Sequence, residues 1–363
     1  MPTAAVVGAG VFGAATAREL QRRGFDVTLV EQHTPGNTRS GSGGDTRLLR
    51  FAHSDEEWYT RSAMRSLELW RALEQESGLR LFEPVGIAWL QCAEARAFTD
   101  RSEQTLARLG IPTERLDPIE AKRLFPSIGG EGLESVLFEP TAGVLHARAA
   151  TRALAAGVRV VPGRPTPDDP PRADVVVWAC GSWLGSLFPA QVELQISRRD
   201  VFFFGVDASW EGTPGFCEYD GPFGPNYGHG EISGLGMKIA PDRHFAEVDP
   251  DALERLPDAE MARRARAYAA ERFPALADAP ITGTRVCQYD LTSDSHFIVS
   301  RHPEEPTWWL LGGGSGHGFK HGPALAEYVA DCVEGLREPE PFHGLGPRTG
   351  HAGLRTAERP ASS

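Results

Sequence analysis

The sequence predicts a two-domain α/β protein. A Rossmann-like nucleotide-binding domain is interrupted by a second domain built on a mixed, largely antiparallel sheet. Three observations predict this. Gly8-Ala9-Gly10-Val11-Phe12-Gly13 lies between an apolar run and a helical pattern at the start of the chain. A second glycine-rich turn, Leu311 to Lys320, follows the apolar run Trp308-Trp309-Leu310-Leu311 some 300 residues later. At 363 residues the chain also exceeds what one hydrophobic core usually supports.

The elements follow in order. Ala4-Ala5-Val6-Val7 reads as a buried strand, Val11 to Arg23 as a helix and Val27-Thr28-Leu29-Val30 as the next strand, a βαβ unit. Pro35 to Asp45 is a glycine-rich loop. Trp58 to Ser77 places Leu67, Trp70 and Leu73 on one helical face. Val85 to Gln91 reads as a strand, and residues 94–109 and 118–124 as helices. A short helix, Arg148 to Ala156, precedes the strand Val158-Arg159-Val160-Val161 and a proline-rich linker from Gly163 to Arg172. Asp174 to Ala179 is a buried strand ending at Gly181; strands near 200–206 and 234–240 suggest an antiparallel sheet. Asp251 to Glu271 reads as a charged helix, and a helix starts near Pro323. Residues 349–363, rich in small and polar residues, read as a disordered tail.

Bulk properties narrow the class. A net charge of −12 argues against a nucleic-acid surface or an anionic membrane. No apolar run reaches the ~18 residues that a spanning helix needs. The N-terminus begins with a strand rather than a leader pattern, so the expectation is a cytoplasmic protein; the expected state is a monomer or weak homo-oligomer. The five cysteines, at 92, 180, 217, 287 and 332, form no CxxC pair, so no disulfide framework and no metal site is expected.

The first motif carries a physical reading. Gly8 permits the tight turn, Gly10 lets a pyrophosphate approach, and Gly13 lets the helix pack on the strand. Glu31 ends the second strand, 18 residues after Gly13, where a carboxylate can accept ribose hydroxyls. Val11 and Phe12 open the helix whose N-terminus faces the phosphates. The late turn, with Gly312, Gly313, Gly314, Gly316 and Gly318 ahead of a helix, is a second anion-facing turn, and it holds a histidine and a lysine.

The fingerprint alone does not separate NAD from FAD. The strand Asp174 to Ala179 with Cys180-Gly181-Ser182-Trp183, and the turn at 312–320, resemble the second and third FAD-contacting segments of D-amino-acid-oxidase-like flavoenzymes. More narrowly, the chain resembles the monomeric sarcosine oxidase and N-methyltryptophan oxidase family. The resemblance is carried by Gly44-Asp45-Thr46-Arg47-Leu48-Leu49-Arg50, Phe138 to Leu145, Val286-Cys287-Gln288-Tyr289, His296-Phe297-Ile298 and Gly314-Ser315-Gly316-His317-Gly318-Phe319-Lys320. It implies a discontinuous FAD-binding domain over residues 1–82, 142–196 and 283–345, with a substrate domain over 83–141 and 197–282. It also implies oxidation of an amine next to a carboxylate to an imine, with O2 reduced to H2O2.

Residue by residue, the resemblance assigns Cys287 to a covalent bond with the flavin. Thr46, Arg47, Gly181, Trp183, Gly314, Gly316, His317, Gly318 and Lys320 join Gly8, Gly10, Val11, Phe12, Gly13 and Glu31 as cofactor contacts. Arg50 and Lys320 become a substrate-carboxylate clamp, a guanidinium fork with a point-charge ammonium. Tyr227 and Tyr289 become pocket walls, Lys238 the group that promotes oxygen reduction, and Arg47, His317 and Tyr289 further catalytic residues. The turn's N–H groups are expected to stabilise negative charge on the flavin ring.

The chain also departs from the family. Gly43 stands where the family has a histidine before the Asp-Thr-Arg segment. Asp242 stands where it has a pocket histidine, and His244 could substitute only if the loop were two residues longer. An acid in the pocket would change the preferred substrate. The segment from Val161 to Asp174 is short, which is expected to trim the sheet edge without touching the flavin. Four alternatives stay open: a dehydrogenase with another electron acceptor, a biosynthetic imine-forming oxidase of a primary amine, a non-catalytic flavin binder and a plain NAD dehydrogenase.

Overall fold

A computed structural model describes residues 1–92, 96–129, 132–219, 221–242, 247–346 and 348. The tail 349–363 and His244, both named above, lie outside these residues.

The βαβ unit forms as its apolar pattern dictates. Strands Thr3–Val7 and Asp26–Glu31 pair in parallel, and helix Val11–Arg22 crosses between them. A six-stranded sheet grows from this pair, in the order Ile298–Arg301, Trp308–Gly312, Val175–Trp178, Thr3–Val7, Asp26–Glu31, Arg159–Pro162. Only the first two pair antiparallel; the rest are parallel. Central strands of a parallel sheet are covered on both faces, which is why they are continuous apolar runs without alternation. One face takes helices Val11–Arg22 and Gly322–Val333, with Glu57–Ser77 packed on the latter. The other packs Ala5, Val7, Val176, Trp178 and Leu310 under Leu184 and Phe188.

The second large sheet has eight strands, in the order Ile281–Leu291, Gln195–Phe204, Met237–Pro241, Asn226–His229, Gly215–Glu218, Ile87–Gln91, Ser135–Glu139, Glu114–Leu116. All neighbours pair antiparallel except Gly215–Glu218 with Ile87–Gln91, so the sheet is mixed and largely antiparallel, as expected. Its period of two divides the work between its faces. Phe202, Phe204, Phe216, Met237 and Ile239 share a core with Met261, Ala265, Tyr268 and Ala269 of helix Ala259–Arg272. Lys238 and Ala240, which alternate with Met237 and Ile239, share the opposite face with Tyr227, His229, Cys287 and Tyr289 of other strands of the sheet. A small third sheet, Thr46–Leu49, Gly143–His146 and Phe82–Glu83, completes the fold.

Several expectations need correction. The charged helix runs only over Ala259–Arg272, not from Asp251. Pro257 disfavours helix at the residue before it, and Asp258 then caps the helix by accepting the N–H groups of Glu260 and Met261. The segment 118–124 makes a single 3-10 turn, Glu120–Arg123. The helix expected from 94 runs over Arg96–Arg108 among the described residues.

Candidate active site

The cleft forms where the strands of the six-stranded sheet end, the usual ligand position in an open α/β sheet. It encloses about 1290 Å3 of empty space, its open mouth included. Gly8, Gly10, Val11, Phe12 and Glu31 line one part; Gly181 and Trp183 a second; Arg47, Tyr289, Gly314, Gly316 and Gly318 a third. These twelve residues, scattered from 8 to 318, were all named from the sequence.

The fingerprint is built as its glycines require. Gly8 has φ +99°, a region that favours glycine. A Cβ on Gly13 would overlap the Gly8 carbonyl oxygen, so Gly13 packs the helix on the strand rather than lining the cleft. Glu31 is buried; it accepts the Ala9 N–H at 2.7 Å and the His33 N–H at 3.0 Å. A carboxylate has room for further donors such as ribose hydroxyls. The helix starts at Gly10 without a side-chain cap, but Val11 N–H donates to Ser42 Oγ at 2.9 Å. Ser42 also lines the cleft. Nothing in its spacing marked it.

The late turn is held from below by Asp290. Gly314 N–H donates to Asp290 Oδ2 at 3.1 Å and Ser315 N–H to the Asp290 carbonyl at 3.0 Å. The N–H groups of His317 and Gly318 both donate to the Gly314 carbonyl. Four of the turn's donors are therefore used internally, and the expectation that its N–H groups face the flavin is reduced accordingly. Burial raises the pKa of the Asp290 carboxyl, against the backbone N–H groups that favour its ionised form. The His317 ring stacks on Phe297 and its Nε2–H donates to Ser295 O at 2.9 Å, while its carbonyl accepts Lys320 Nζ at 2.8 Å. His317 thus reaches the site through its carbonyl.

Behind Arg47 and Tyr289 lies a layer of buried charge. Arg47 donates to Thr46 O and Gly41 O, both at 2.7 Å, and to Cys287 Sγ at 3.3 Å. Lys238 is 2% exposed and donates to Thr46 O at 3.2 Å and Thr46 Oγ1 at 3.3 Å. Burial, with the nearby Arg47 charge, lowers its pKa to about 7. Thr46 Oγ1 lies 2.7 Å from His229 Nε2, and burial lowers that imidazole to about 3. His229 escaped the sequence reading because one histidine in a strand carries no pattern. Tyr227 and Tyr289 join through their hydroxyls at 3.0 Å, and Lys238 Nζ stands 5.3 Å from the Tyr227 ring centre.

Arg50 and Lys320 are 5% and 2% exposed. Arg50 donates to Ala52 O and lies over the Trp89 ring at 5.0 Å. Burial, then the Arg50 charge, drives the Lys320 pKa well below its ordinary value. Buried Glu139 fixes the chain after Arg50, accepting Phe51 N–H at 2.7 Å, Ala52 N–H at 3.2 Å and Trp89 Nε1–H at 2.6 Å. Desolvation raises its pKa.

The family departures acquire physical reasons. A Cβ on Gly43 would overlap the Asn37 carbonyl oxygen, so no side chain fits there. Asp242 is not a lone acid: Arg199 Nε donates to its Oδ1 at 2.8 Å. Gly163, Arg164 and Pro165 of the short linker line the cleft. Among the described residues, His53, His317 and His321 bring ring nitrogens within 4.8 Å of one another. The Arg50 charge acts on His53 and His321 and disfavours a metal cation there.

A dinucleotide cleft at the strand ends, faced by a mixed sheet that carries buried cations, defines the class. A family model described as FAD dependent oxidoreductase matches residues 3–332, and the chain belongs to that family. It is therefore an FAD-dependent oxidoreductase of the sarcosine oxidase type. The chain is 29% identical to monomeric sarcosine oxidase of Bacillus sp. (strain B-0618), covering 90% of this chain and 91% of that protein. It is 31% identical to peroxisomal sarcosine oxidase of Mus musculus, covering 90% of each. Its fold is similar to that of L-proline dehydrogenase from P. horikoshii, with a TM-score of 0.82, 23% identity and coverage of 94% and 96%. No helix among the described residues is long and apolar enough to cross a membrane. The cleft's glycine cradle and Glu31 fit FAD.

Proposed function

We propose that this protein oxidises the C–N bond of a secondary amino acid, N-methyl or cyclic, to an imine, with O2 reduced to H2O2. The observation that carries this reading is two coupled pairs of cations, Arg47 with Lys238 and Arg50 with Lys320, three of the four almost fully buried. Buried cations are costly unless an anion joins them. A substrate carboxylate answers that need at Arg50 and Lys320. The same charge favours the neutral amine, the form that can release a hydride.

FAD, when bound, supplies the hydride acceptor. Tyr227 and Tyr289 wall the space where the amine lies. Lys238 serves the oxygen step, since a cation favours electron transfer to O2. Cys287, whose Sγ accepts a hydrogen bond from Arg47 at 3.3 Å, would carry a covalent flavin bond. A peroxide-coupled screen of N-methyl and cyclic amino acids tests this reading. Peroxide formed with such amines and not with their methyl esters supports it; no turnover of any carboxylate-bearing amine refutes it.

A further inference from the structure

We propose that Arg199 and Asp242 are a positioning pair that holds the aromatic wall of the substrate cavity and makes that wall select a neutral ring substituent. The inference rests on the oxidase reading above and concerns the side-chain end of the same site.

The geometry is a chain of contacts. Arg199 lies on strand Gln195–Phe204, with Cys287 as its cross-strand partner. Its guanidinium carbon lies 4.6 Å from the centre of the Tyr289 ring, within cation–π range. The fork is oriented by three further bonds: Nε to Asp242 Oδ1 at 2.8 Å, and one terminal nitrogen to Ser197 Oγ and Arg198 O, both at 2.6 Å. Asp242 follows the strand that carries Lys238, and its N–H is tied to Pro225 O at 2.7 Å. Tyr289 lines the cleft and passes the constraint to Tyr227 through their paired hydroxyls.

Two features argue for more than a scaffold. The side chains of Arg199 and Asp242 are 0% and 5% exposed. A buried ion pair is often no more stabilising than apolar residues of the same volume. Such a pair placed against the face of a cleft residue points to a function there. The pair is also internally neutral. It presents no net charge to a ligand, so the tyrosine wall favours an apolar ring over a cationic side chain. Lysine could not substitute for Arg199, because stacking and the multiple bonds need a planar fork.

The test uses the FAD-loaded enzyme and two carboxylates that cannot be oxidised at a C–N bond. Acetate reaches only the carboxylate site. Cyclopentanecarboxylate, the carbon analogue of a five-membered cyclic amino acid, adds a ring. Both are titrated by their effect on the visible flavin spectrum. In the double variant Arg199→Met, Asp242→Leu, which removes both charges together, the Kd for cyclopentanecarboxylate should rise about tenfold, as expected for a desolvated guanidinium–aromatic stack. The Kd for acetate should stay within about twofold. Arg199→Lys should show the same split, and decides the matter if the double variant does not load FAD. Asp242→Asn keeps the acceptor oxygen and should leave both ligands within about threefold. Equal weakening of both ligands, or of neither, would overturn the positioning role. A wild-type spectrum that responds to neither carboxylate would instead overturn the oxidase reading, and the pair's role with it.

Discussion

Lys238 offers a prediction that can be worked from the structure. Its ammonium is buried, bonded only to neutral oxygens of Thr46 among the contacts described, and its pKa falls from 10.5 to about 7. At ~1.36 kcal/mol per unit, that gap corresponds to roughly 5 kcal/mol against the charged form. Folding lowers the pKa, so between pH 7 and 10.5 the unfolded chain holds a proton that the folded chain has released. Stability therefore rises with pH through that window. On the proposed function, the benefit of the charge lies in the oxygen step. A unit charge ~5 Å from a developing anion, at an effective dielectric of about 20, is worth about 3 kcal/mol, or about two orders of magnitude in rate. The assay reduces the enzyme anaerobically with substrate, mixes it with O2 and follows the return of flavin absorbance. Wild type should slow as pH rises, with a midpoint at or above 7, because the charge that develops during turnover can only raise that of Lys238. Lys238→Met should be slower by about a hundredfold at pH 7 and lose the pH dependence. A variant within about twofold of wild type, or a wild-type rate flat from pH 6 to 10.5, would refute this reasoning.

Three further predictions follow from the same geometry. Arg50→Met and Lys320→Met should each raise KM for a carboxylate-bearing substrate by about 30-fold or more, since a charge-assisted bond contributes ~2–3 kcal/mol; steady-state kinetics check this, and an unchanged KM rejects the clamp. Cys287→Ser should release its flavin into the supernatant on acid precipitation, whereas wild type keeps it in the pellet; yellow wild-type supernatant denies the covalent bond. Buried His53, His229, His321 and His343 all have lowered pKa values, about 3 for His229 and His343, through desolvation first. Below pH ~6.5 the unfolded chain binds protons that the folded chain does not, so stability falls on acidification by roughly 1.4 kcal/mol per pH unit for each histidine. Urea unfolding between pH 7 and 5 should show this, and a flat profile contradicts it.

The cofactor cleft was legible in the sequence because backbone rules govern it. Gly8 and Gly13 are forced by positive φ and by helix–strand overlap, and both appear as a spacing. Strand Val175–Trp178 and the late turn were readable for the same reason. The charge layer was legible only through resemblance, because Arg50 and Lys320, and Arg47 and Lys238, lie far apart in the chain and meet in pairs through tertiary packing. Arg199, Asp290, Ser42 and His229 left no signal. Each is a single polar residue whose partner arrives by strand pairing or from a distant loop. The charged pattern from Asp251 was read too long because Pro257 acts one residue back, outside what helical periodicity registers.

The central claim is that this chain's cleft and cation layer oxidise a carboxylate-bearing secondary amine. Anaerobic titration of the FAD-loaded enzyme with an N-methyl or cyclic amino acid tests it without assuming the electron acceptor. The account predicts loss of the oxidised flavin spectrum with at least one such amino acid and none with its methyl ester. No bleaching by any member of the series, or equal bleaching by acid and ester, would contradict it.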